Sequence, residues 1–314
     1  MDSSSASARA PRIRRAAEQR PNRLELDRLR PAALRRIPRR TLAVASGKGG
    51  VGKSNIAANL AIALAQRGKQ VLLVDGDLGL ANVDLLLGLS PRTTLKDVVQ
   101  GRLALEDVVL DGPLGLRVLP ASSGVEELAN LDDFRREKLV RSIQELDEQL
   151  DFVLVDTGSG IGRNVTSLAL AADEVMVVTT PEPPSFSDAY ALIKVLARRP
   201  LQAPPRLVVN MVSGYDEWQE VAARIALVSR RFLGLELTQW GYVYDDPAVG
   251  HAVQKQEAFV QAAPYCLASK CIQQLAGRLL EDPGFESAGL EGFLRRVEPE
   301  PAEGVELELE GEAG

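Results

Sequence analysis

A glycine-rich segment, Gly-Lys-Gly-Gly-Val-Gly-Lys-Ser at residues 47–54, constrains the fold of this chain more than any other feature. It matches the pattern Gly-x-x-x-x-Gly-Lys-[Ser/Thr], whose glycines let backbone N–H groups surround phosphate oxygens. In such a loop the last lysine reaches the β- and γ-phosphates, and the hydroxyl after it binds Mg²⁺. An apolar segment, 41–46, comes before the loop, and a helical pattern, 55–65, comes after it. The sequence therefore predicts a strand, a phosphate-binding loop and a helix whose N-terminal dipole faces the phosphates.

Short apolar segments alternate with helical patterns from residue 41 onward, which is typical of parallel strands joined by right-handed crossover helices. The predicted fold class is α/β: a three-layer P-loop NTPase with a mostly parallel central sheet flanked by helices, as a single domain with disordered tails. Strands are predicted at 41–46, 70–75, 115–119, 151–156, 174–179, 205–210 and 238–243. Helices are predicted at 53–67, 132–148, 163–171, 186–199, 216–233 and 264–281, with Pro264 in the first turn of the last one.

Two of the predicted strands end in aspartate, at the sheet edge where ligands of such folds bind. One strand ends in Asp75, with Asp77 shortly after it, and the other ends in Asp156. The second has the form of a Walker B strand, so Asp156 is predicted to hold Mg²⁺ through water. Glycines two and four residues further on allow the backbone to move toward a γ-phosphate. Helix capping or turn formation is the alternative role for Asp75 and Asp77.

A third predicted strand ends in an amide. Asn210 closes the strand 205–210 and can donate to and accept from the edge of an adenine ring. The later segment 242–247 is expected near the base, although Asp246 and Pro247 suit a turn equally well.

Composition narrows the classes of function. No run of about 18 apolar residues occurs, so the sequence predicts no membrane-spanning helix. The two cysteines, Cys266 and Cys271, lie five residues apart, a spacing that suits neither a disulfide nor a metal clamp on a helix. The single histidine, His251, leaves little room for histidine-dependent catalysis. Together these features favour a protein of the reducing cytoplasm.

Lys48, directly after the first glycine of the loop, makes the segment resemble the deviant phosphate loop of the MinD/ParA family of ATPases. The resemblance implies that the chain binds ATP or ADP with Mg²⁺ and hydrolyses ATP slowly as an ATP-bound homodimer. In that family the early lysine reaches the partner's nucleotide across the dimer interface. The pattern and the resemblance together give the predicted nucleotide-binding residues Gly47, Lys48, Gly49, Gly50, Val51, Gly52, Lys53, Ser54, Asn55 and Asn210.

Roles for single side chains follow from the same resemblance. Asp77 is implied to position the attacking water, and Asn210 to contact adenine. The implied catalytic residues are Lys48, Lys53 and Asp77, and the implied metal-site residues are Ser54, Asp75 and Asp156.

Several stretches resemble the FlhG/FleN group, the flagellar-number ATPases within that family. These stretches are 52–55, 77–84, 119–124, 156–161 and 178–194, in a match that covers 41–281. The resemblance implies regulation of flagellar number, placement and gene expression through a FleQ-type transcription activator, the GTPase FlhF, or both. ParA-like partitioning of DNA or cargo and MinD-like placement of the division site are the alternatives. The net acidic charge outside the N-terminal arm argues against nucleic-acid binding.

The two ends of the chain carry opposite charge, although the formal net charge is −6. We expect a basic, largely disordered arm at 1–40, a MinD/ParA-like ATPase domain at 41–281, a short amphipathic helix within 282–297 and an acidic disordered tail at 298–314. The arm is either a solvated segment or one that contacts a partner or nucleic acid. Its stretch 27–35 departs from the FlhF-stimulating motif of the group, and Pro31 interrupts any helix there.

The predicted C-terminal helix has two alternative positions. Leu290, Phe293, Leu294 and Val297 share one of its faces. In relatives such a helix enters the inner membrane, which implies a cytoplasmic protein with peripheral contact at the membrane or cell pole. Packing on the body of the protein is the alternative, because the flanking glutamates are repelled by anionic lipid.

Overall fold

The computed structural model describes residues 40–77, 83–120, 142, 146, 149–282, 287 and 289–297. Within these residues, eight strands form one sheet: β1 (Arg40–Ser46), β2 (Val71–Gly76), β3 (Leu110–Asp111), β4 (Arg117–Pro120), β5 (Phe152–Ser159), β6 (Glu174–Thr179), β7 (Arg206–Val212) and β8 (Thr238–Tyr244). The order across the sheet is β3-β4-β2-β5-β1-β6-β7-β8. Neighbouring strands are parallel except β3 with β4.

Helices cover both faces of the sheet. They are α1 (Lys53–Ala65), α2 (Val83–Leu86), α3 (Leu95–Val99), α4 (Arg163–Ala171), α5 (Pro183–Leu196), α6 (Tyr215–Leu233), α7 (Pro247–Gln254), α8 (Phe259–Ala262), α9 (Leu267–Glu281) and α10 (Gly289–Arg296). The core on one face includes residues of α1, α2 and α7 to α9, and the core on the other includes residues of α3 to α6 and α10. The central strands are buried on both sides, which explains their almost continuous apolar sequence.

The predicted fold class is confirmed, and the seven predicted strands are present. β5 runs to Ser159 rather than ending at Asp156, because Ser159 still pairs with Ser46 and the N–H of Gly160 donates to the Ser46 carbonyl at 2.8 Å. β3 has no counterpart among the predicted strands, since two residues are too short to show an alternation. The predicted helix at 132–148 lies almost entirely outside the described residues.

Two predicted helix starts are wrong. α5 begins at Pro183, three residues earlier than predicted, because prolines fit a first turn, where no N–H partner is needed. α9 begins at Leu267, and Pro264 lies in the preceding turn. The cap of α9 is Cys266, whose Sγ accepts from the backbone N–H of Ser269 at 3.4 Å. A cysteine cap falls outside the usual Ser, Thr, Asp and Asn signals.

Four short helices, α2, α3, α7 and α8, have no counterpart among the predicted ones. They span between four and eight residues, too few for a clear helical period. At the start of α7, Oδ1 of Asp246 accepts from the N–H of Ala248 at 3.0 Å. Asp246 and Pro247 therefore start a helix instead of forming an isolated turn.

The C-terminal helix α10 packs on the body of the protein. Leu290 and Phe293 are completely buried in the core beside α4 and β1. Arg296 donates to the carbonyl of Ala171 at 2.7 Å and to Oδ1 of Asp173 at 2.8 Å. Of the two alternatives for this helix, the structure shows the packed one.

Parallel strands give the sheet two different edges. The edge where the parallel strands begin, called here the amino edge, carries Arg40, Glu174 and Arg206 at the starts of β1, β6 and β7. The edge where these strands end, called here the carboxyl edge, carries the glycine-rich loop after β1. Ligands of such sheets bind at the carboxyl edge.

Candidate nucleotide-binding site

The glycine-rich loop adopts a conformation that its glycines make possible. Gly50 and Gly52 have φ values of 81° and 82°, in the left-handed region that side chains disfavour. A Cβ on Gly52 would lie 2.2 Å from Nδ2 of Asn210, and one on Gly47 would lie 2.0 Å from the carbonyl oxygen of Asp188. Both positions therefore exclude any larger residue. The loop ends at α1, whose N-terminal N–H groups and dipole suit phosphate oxygens.

The loop borders an open cavity of about 980 Å³, large enough for a nucleotide. Residues 48–55 form one wall, and Asp77, Gly158 and Ser159 form another. The start of α4 closes a third side. Most of the predicted phosphate-binding residues and Asp77 thus surround one space, while Gly47 lies just behind it against α5.

Lys53, which borders the cavity, forms a buried ion pair with Asp156. The Nζ of Lys53 lies 2.6 Å from Oδ1 of Asp156 and 3.3 Å from Oγ of Ser54. Burial raises the pKa of Asp156, while the nearby ammonium of Lys53 counteracts that rise. The second oxygen, Oδ2, is buried and has no hydrogen-bond partner among the described residues.

The orphaned oxygen of Asp156 shows that these residues fit a magnesium ion. A buried carboxylate oxygen without a partner is costly unless a ligand or water completes it. Mg²⁺ is typically held by one or two carboxylates together with waters and substrate phosphates. Ser54 and Asp156 provide a hydroxyl and a carboxylate of that kind beside the loop. In the described part of the chain no group of three or more His, Cys, Asp or Glu forms a protein-only metal cage.

Asp75 lies at the end of β2 and is almost fully buried. Its two oxygens accept from the backbone N–H groups of Asp77 at 3.2 Å and Val83 at 3.3 Å. Burial, followed by repulsion from Asp156, raises the pKa of Asp75 to about 6. Asp75 therefore holds the backbone at Asp77 and at Val83, which agrees with the turn-forming role considered for it from the sequence. Its carboxylate also adds negative charge near Asp156, the candidate for holding magnesium.

Asp77 lies next to the loop after β5. It is partly exposed, and a Cβ on Gly158 would lie 3.5 Å from its Oδ1. The absence of a side chain at Gly158 therefore gives the carboxylate room beside the Walker B strand. Asp77 also borders the cavity, so its carboxylate can reach a water or phosphate there.

Lys48 is bound within its own chain. Its Nζ lies 2.7 Å from Oε2 of Glu182, the residue that precedes α5. Both side chains are substantially exposed, and exposed ion pairs of this kind contribute about 0–1 kcal/mol. This contact joins the loop to α5 and is easily exchanged for another anion.

Asn210 is buried and supports the loop. Its Nδ2 donates to the carbonyl of Val51 at 2.8 Å. The structure thus shows Asn210 as a neighbour of the loop backbone, which places the end of β7 beside the cavity. Met211, the next residue, has a φ of 58° and a side chain that lines the cavity.

Some cavity residues carry no signal in the sequence. Met211, Val253, Gln256 and Arg163 border the cavity, but none belongs to the glycine-rich pattern. Met211 and Gln256 share a positive φ, which a non-glycine residue rarely adopts and which clusters at functional sites. Of these residues, only Met211 could be located from the sequence, because it directly follows Asn210, the end of a predicted strand at the carboxyl edge.

Comparison with known proteins extends these observations. Residues 39–203 match a family model described as an AAA domain. The chain is 42% identical over 269 residues to the antiactivator FleN of Pseudomonas aeruginosa, a match covering 85% of this chain and 96% of FleN. It is 35% identical to the flagellum site-determining protein YlxH of Helicobacter pylori, covering 82% of this chain and 88% of YlxH.

The chain belongs to the MinD/ParA family of ATPases, in its FleN/FlhG branch. The cell division ATPase MinD of Pyrococcus furiosus has the same fold, with a TM-score of 0.61, 29% identity and coverage of 77% of this chain and 98% of MinD. MinD of Pyrococcus horikoshii, solved in complex with Mg-ADP, matches with a TM-score of 0.62, 25% identity and coverage of 80% and 99%. Like the rest of the family, this chain is an ATPase that uses ATP, ADP and Mg²⁺. In the described part of the chain, no helix is long and apolar enough to cross a membrane.

Proposed function

We propose that this protein is an ATP-dependent dimerising switch that controls the number and placement of flagella and the expression of flagellar genes. The observation that carries this proposal is the 42% identity to a protein named antiactivator FleN, nearly all of which the chain covers. The likeness to a protein named flagellum site-determining points the same way. An antiactivator acts on an activator, so the partner we propose is a flagellar transcription activator of the FleQ type.

The residues of the cavity suggest how ATP is bound. The loop N–H groups and the Nζ of Lys53 hold the phosphates, which requires Lys53 to leave Asp156. Ser54 and Asp156 would hold Mg²⁺, which would neutralise charge on the phosphates. Asp75 keeps the segment after β2 in place through its two backbone hydrogen bonds. Nucleotide binding therefore replaces the buried Lys53–Asp156 pair by two separate contacts.

Hydrolysis requires a water in line with the γ-phosphate. Asp77 is the carboxylate that we propose to orient it, because it borders the cavity beside Gly158. Holding such a water in position supplies most of the catalysis in phosphoryl transfer. Asn210, at the end of β7 beside the loop, is the residue that we propose to contact the adenine base.

A second copy of the chain completes the site in this proposal. Lys48 exchanges Glu182 for the partner's nucleotide, where its charge offsets that of the phosphates. Apolar side chains that border the cavity are exposed, including Leu85 at 53% and Met211 at 43%. Exposed apolar patches of this kind mark interaction surfaces. The dimer would cover them.

Three substitutions test this mechanism by size-exclusion chromatography and phosphate release with ATP. Lys53→Ala should abolish nucleotide binding. Lys48→Ala should bind ATP but neither dimerise nor hydrolyse it, and Asp77→Ala should stay as an ATP-bound dimer. A Lys48→Ala protein that dimerises and hydrolyses ATP normally would refute the shared site.

We further propose that the protein acts in the cytoplasm, with peripheral contact at the inner membrane or cell pole. Contact through α10 requires Leu290 and Phe293 to leave the core. Co-sedimentation with anionic vesicles in ATP but not in ADP is the expected result. Equal binding in both, or none in either, removes membrane contact from the proposal. An action on FlhF has less support, since the arm departs from the stimulating motif.

The cellular role is tested by counting flagella per cell in a deletion strain that carries the wild-type gene or Asp77→Ala. Division sites and chromosome-free cells are scored in the same images. Changed flagellar number with normal division and chromosome content supports the proposal. Misplaced septa would favour the second candidate, a MinD-like role, which 37% identity to Bacillus subtilis MinD over 179 residues supports. Chromosome loss with normal flagella would indicate ParA-like partitioning.

A further inference from the structure

The outward sides of α5 and α6 form a cationic surface that the nucleotide-binding cavity does not use. The two helices pack together, and the guanidinium carbon of Arg224 lies 5.5 Å from the ring centre of Phe186. Both helices follow parallel strands, so both end at the amino edge of the sheet. The helix-end surface consists of the exposed residues Lys194, Arg198, Arg199, Arg224, Leu227, Arg230, Arg231 and Phe232.

The sequence places these side chains in two adjacent stripes. Lys194 and Arg198 lie four residues apart on α5 and its C-terminal turn, and Arg224, Leu227 and Arg231 lie three and four residues apart on α6. Residues at these intervals share one side of a helix. Because Arg224 reaches Phe186 on α5, the two stripes run side by side.

Positive charge predominates on this surface. Glu220 lies 3.5 Å from Arg224, and Glu236 lies 2.6 Å from Arg230. These two carboxylates stand beside six cations. The ion pairs are exposed, so they contribute little and exchange readily with other anions. Leu227 and Phe232 are 61% and 65% exposed between the cations, which adds apolar area to the surface.

The acidic tail, residues 298–314, starts from the same edge of the sheet. Arg296, one residue before Val297, is bound to Ala171 and Asp173 directly before β6. α6 packs over β7 and β8, which are one and two strands away from β6, or about 5 and 10 Å. Seventeen residues span up to about 56 Å when extended, so the tail can reach every part of the helix-end surface.

The chemistry of the tail complements the surface. The tail contains seven glutamates and no lysine or arginine. Val305, Leu307 and Leu309 alternate with glutamates. Carboxylates pair with guanidinium groups through two parallel hydrogen bonds, and the leucines match the apolar area of Leu227 and Phe232.

We propose that the helix-end surface binds the acidic tail of the same chain, so that the tail competes with any anionic partner of this surface. The contact is independent of the nucleotide site and of the proposed flagellar role. In this contact the acidic end of the chain covers basic side chains of its own folded domain.

Carbodiimide cross-linking of the full-length protein, followed by mass spectrometry, tests this contact. The reagent joins a lysine amine directly to a carboxylate in contact with it, and Lys194 is the lysine of the helix-end surface. We expect cross-links from Lys194 to the tail glutamates. The double reversal Arg198→Glu with Arg231→Glu should lower their yield by roughly tenfold, since it removes two attractions and adds two repulsions. Raising the salt from about 0.05 M to about 0.5 M should also lower it.

A matched reversal, Arg92→Glu with Lys270→Glu, is the control. Both positions are exposed, and Lys270 lies on α9, which packs on the opposite face of the sheet. This pair changes the net charge equally and should leave the Lys194 cross-links unchanged. Circular dichroism melting should give the same curve for both variants, because all four side chains are exposed.

Three results would overturn the proposal. Residues 1–40 contain no lysine, so the amine of the basic arm that can react is the amino terminus. Cross-links from the tail to that amine would show that the tail binds the basic arm instead. Cross-links spread evenly over the exposed lysines, or unaffected by the Arg198 and Arg231 reversals, would show no specific contact. In a mixture of ¹⁵N-labelled and unlabelled protein, cross-links between labelled and unlabelled chains would place the contact between molecules.

Discussion

The two edges of the sheet differ in how far their buried charged groups are paired. At the amino edge, Arg40 is fully buried and donates to both oxygens of Glu174, at 2.6 and 2.7 Å, and to the carbonyl of Leu279 at 2.8 Å. Arg206 also donates to Glu174 and to Asp282. Arg40, Glu174 and Arg206 thus each meet an opposite charge, and together they tie β1, β6 and β7 to the end of α9.

At the carboxyl edge, buried charge is only partly satisfied. Asp156 uses one oxygen for Lys53, and its other oxygen has no partner among the described residues. Asp75 is held beside Asp156 with its pKa raised to about 6. Completed ion pairs hold the fold together, whereas incomplete ones leave capacity for a ligand. The same residue types therefore serve architecture at one edge and chemistry at the other.

Removing the central carboxylate of the amino edge should have the largest effect. Glu174→Gln leaves the guanidinium groups of Arg40 and Arg206 buried without a full countercharge. Breaking a buried ion pair in this way costs about 3–5 kcal/mol of unfolding free energy. Urea unfolding measures the loss. The protein that remains folded should bind Mg-ADP with unchanged affinity, because the site lies at the other edge.

Glu236→Gln is the matched control, since Glu236 pairs with Arg230 at the surface. It should unfold at nearly the same urea concentration as the wild type. A Glu174→Gln protein as stable as this control would show that the amino edge does not depend on its charges.

Removing a charge from the carboxyl edge should act on binding more than on folding. Lys53→Ala takes away the cation that we propose to hold the phosphates, which should weaken Mg-ADP binding by at least about 100-fold, or roughly 3 kcal/mol. The variant still folds because Asp156, whose pKa burial already raises, can take up a proton. Isothermal titration calorimetry measures the affinity.

Lys270→Ala, an exposed lysine on α9, controls for the loss of one positive charge and should bind as the wild type does. Wild-type affinity in Lys53→Ala would mean that the loop lysine does not contact the nucleotide. A Lys53→Ala protein that is unfolded at neutral pH would show that Asp156 does not take up a proton there.

The sequence predicts the layout of the carboxyl edge better than its contacts. The loop at 47–54, Asp75, Asp156 and Asn210 are all predictable, because glycine patterns and strand ends are local features. Parallel strands then bring these separate segments together at one edge. Local pattern and topology are sufficient to locate the site.

Contacts between residues far apart in the sequence leave no local sequence pattern. Lys53 meets Asp156 from 103 positions away, and Lys48 meets Glu182 from 134 positions away. The position of α10 also could not be predicted, since its apolar face suits a membrane as well as a core. The amino edge had no sequence signal, because isolated arginines and glutamates at strand starts resemble surface charges.

The pH dependence of stability should distinguish Asp75 from the paired charges of the amino edge. Its pKa is about 6 in the folded protein against an ordinary 3.8, so the folded state holds the proton more tightly. Stability from this group is fully present below about pH 4 and is lost as pH rises to 6 and beyond. The shift corresponds to roughly 3 kcal/mol across that window.

Asp75→Asn should remove this part of the pH slope. The amide offers one acceptor where the carboxylate offers two, so the variant lacks one backbone hydrogen bond, about 1 kcal/mol, above about pH 6, where wild-type Asp75 is ionised. Urea unfolding between about pH 4 and pH 7 compares the two proteins. Equal slopes in both would show that Asp75 does not carry a raised pKa.

The smallest expected effect concerns the attachment of α10 at the amino edge. Arg296→Met keeps the aliphatic stem but loses the bonds to Ala171 and Asp173, which should cost about 1–2 kcal/mol. Asp173 remains bonded to the backbone and hydroxyl of Thr41, so the strands should keep their stability. Hydrogen exchange should therefore become faster in α10 but not in β1 or β6. Arg295→Met, at an exposed position paired with Glu291, is the control and should leave exchange in α10 nearly unchanged. If Arg296→Met also speeds exchange in β1 and β6, then α10 is a structural part of the amino edge and not a separately attached helix.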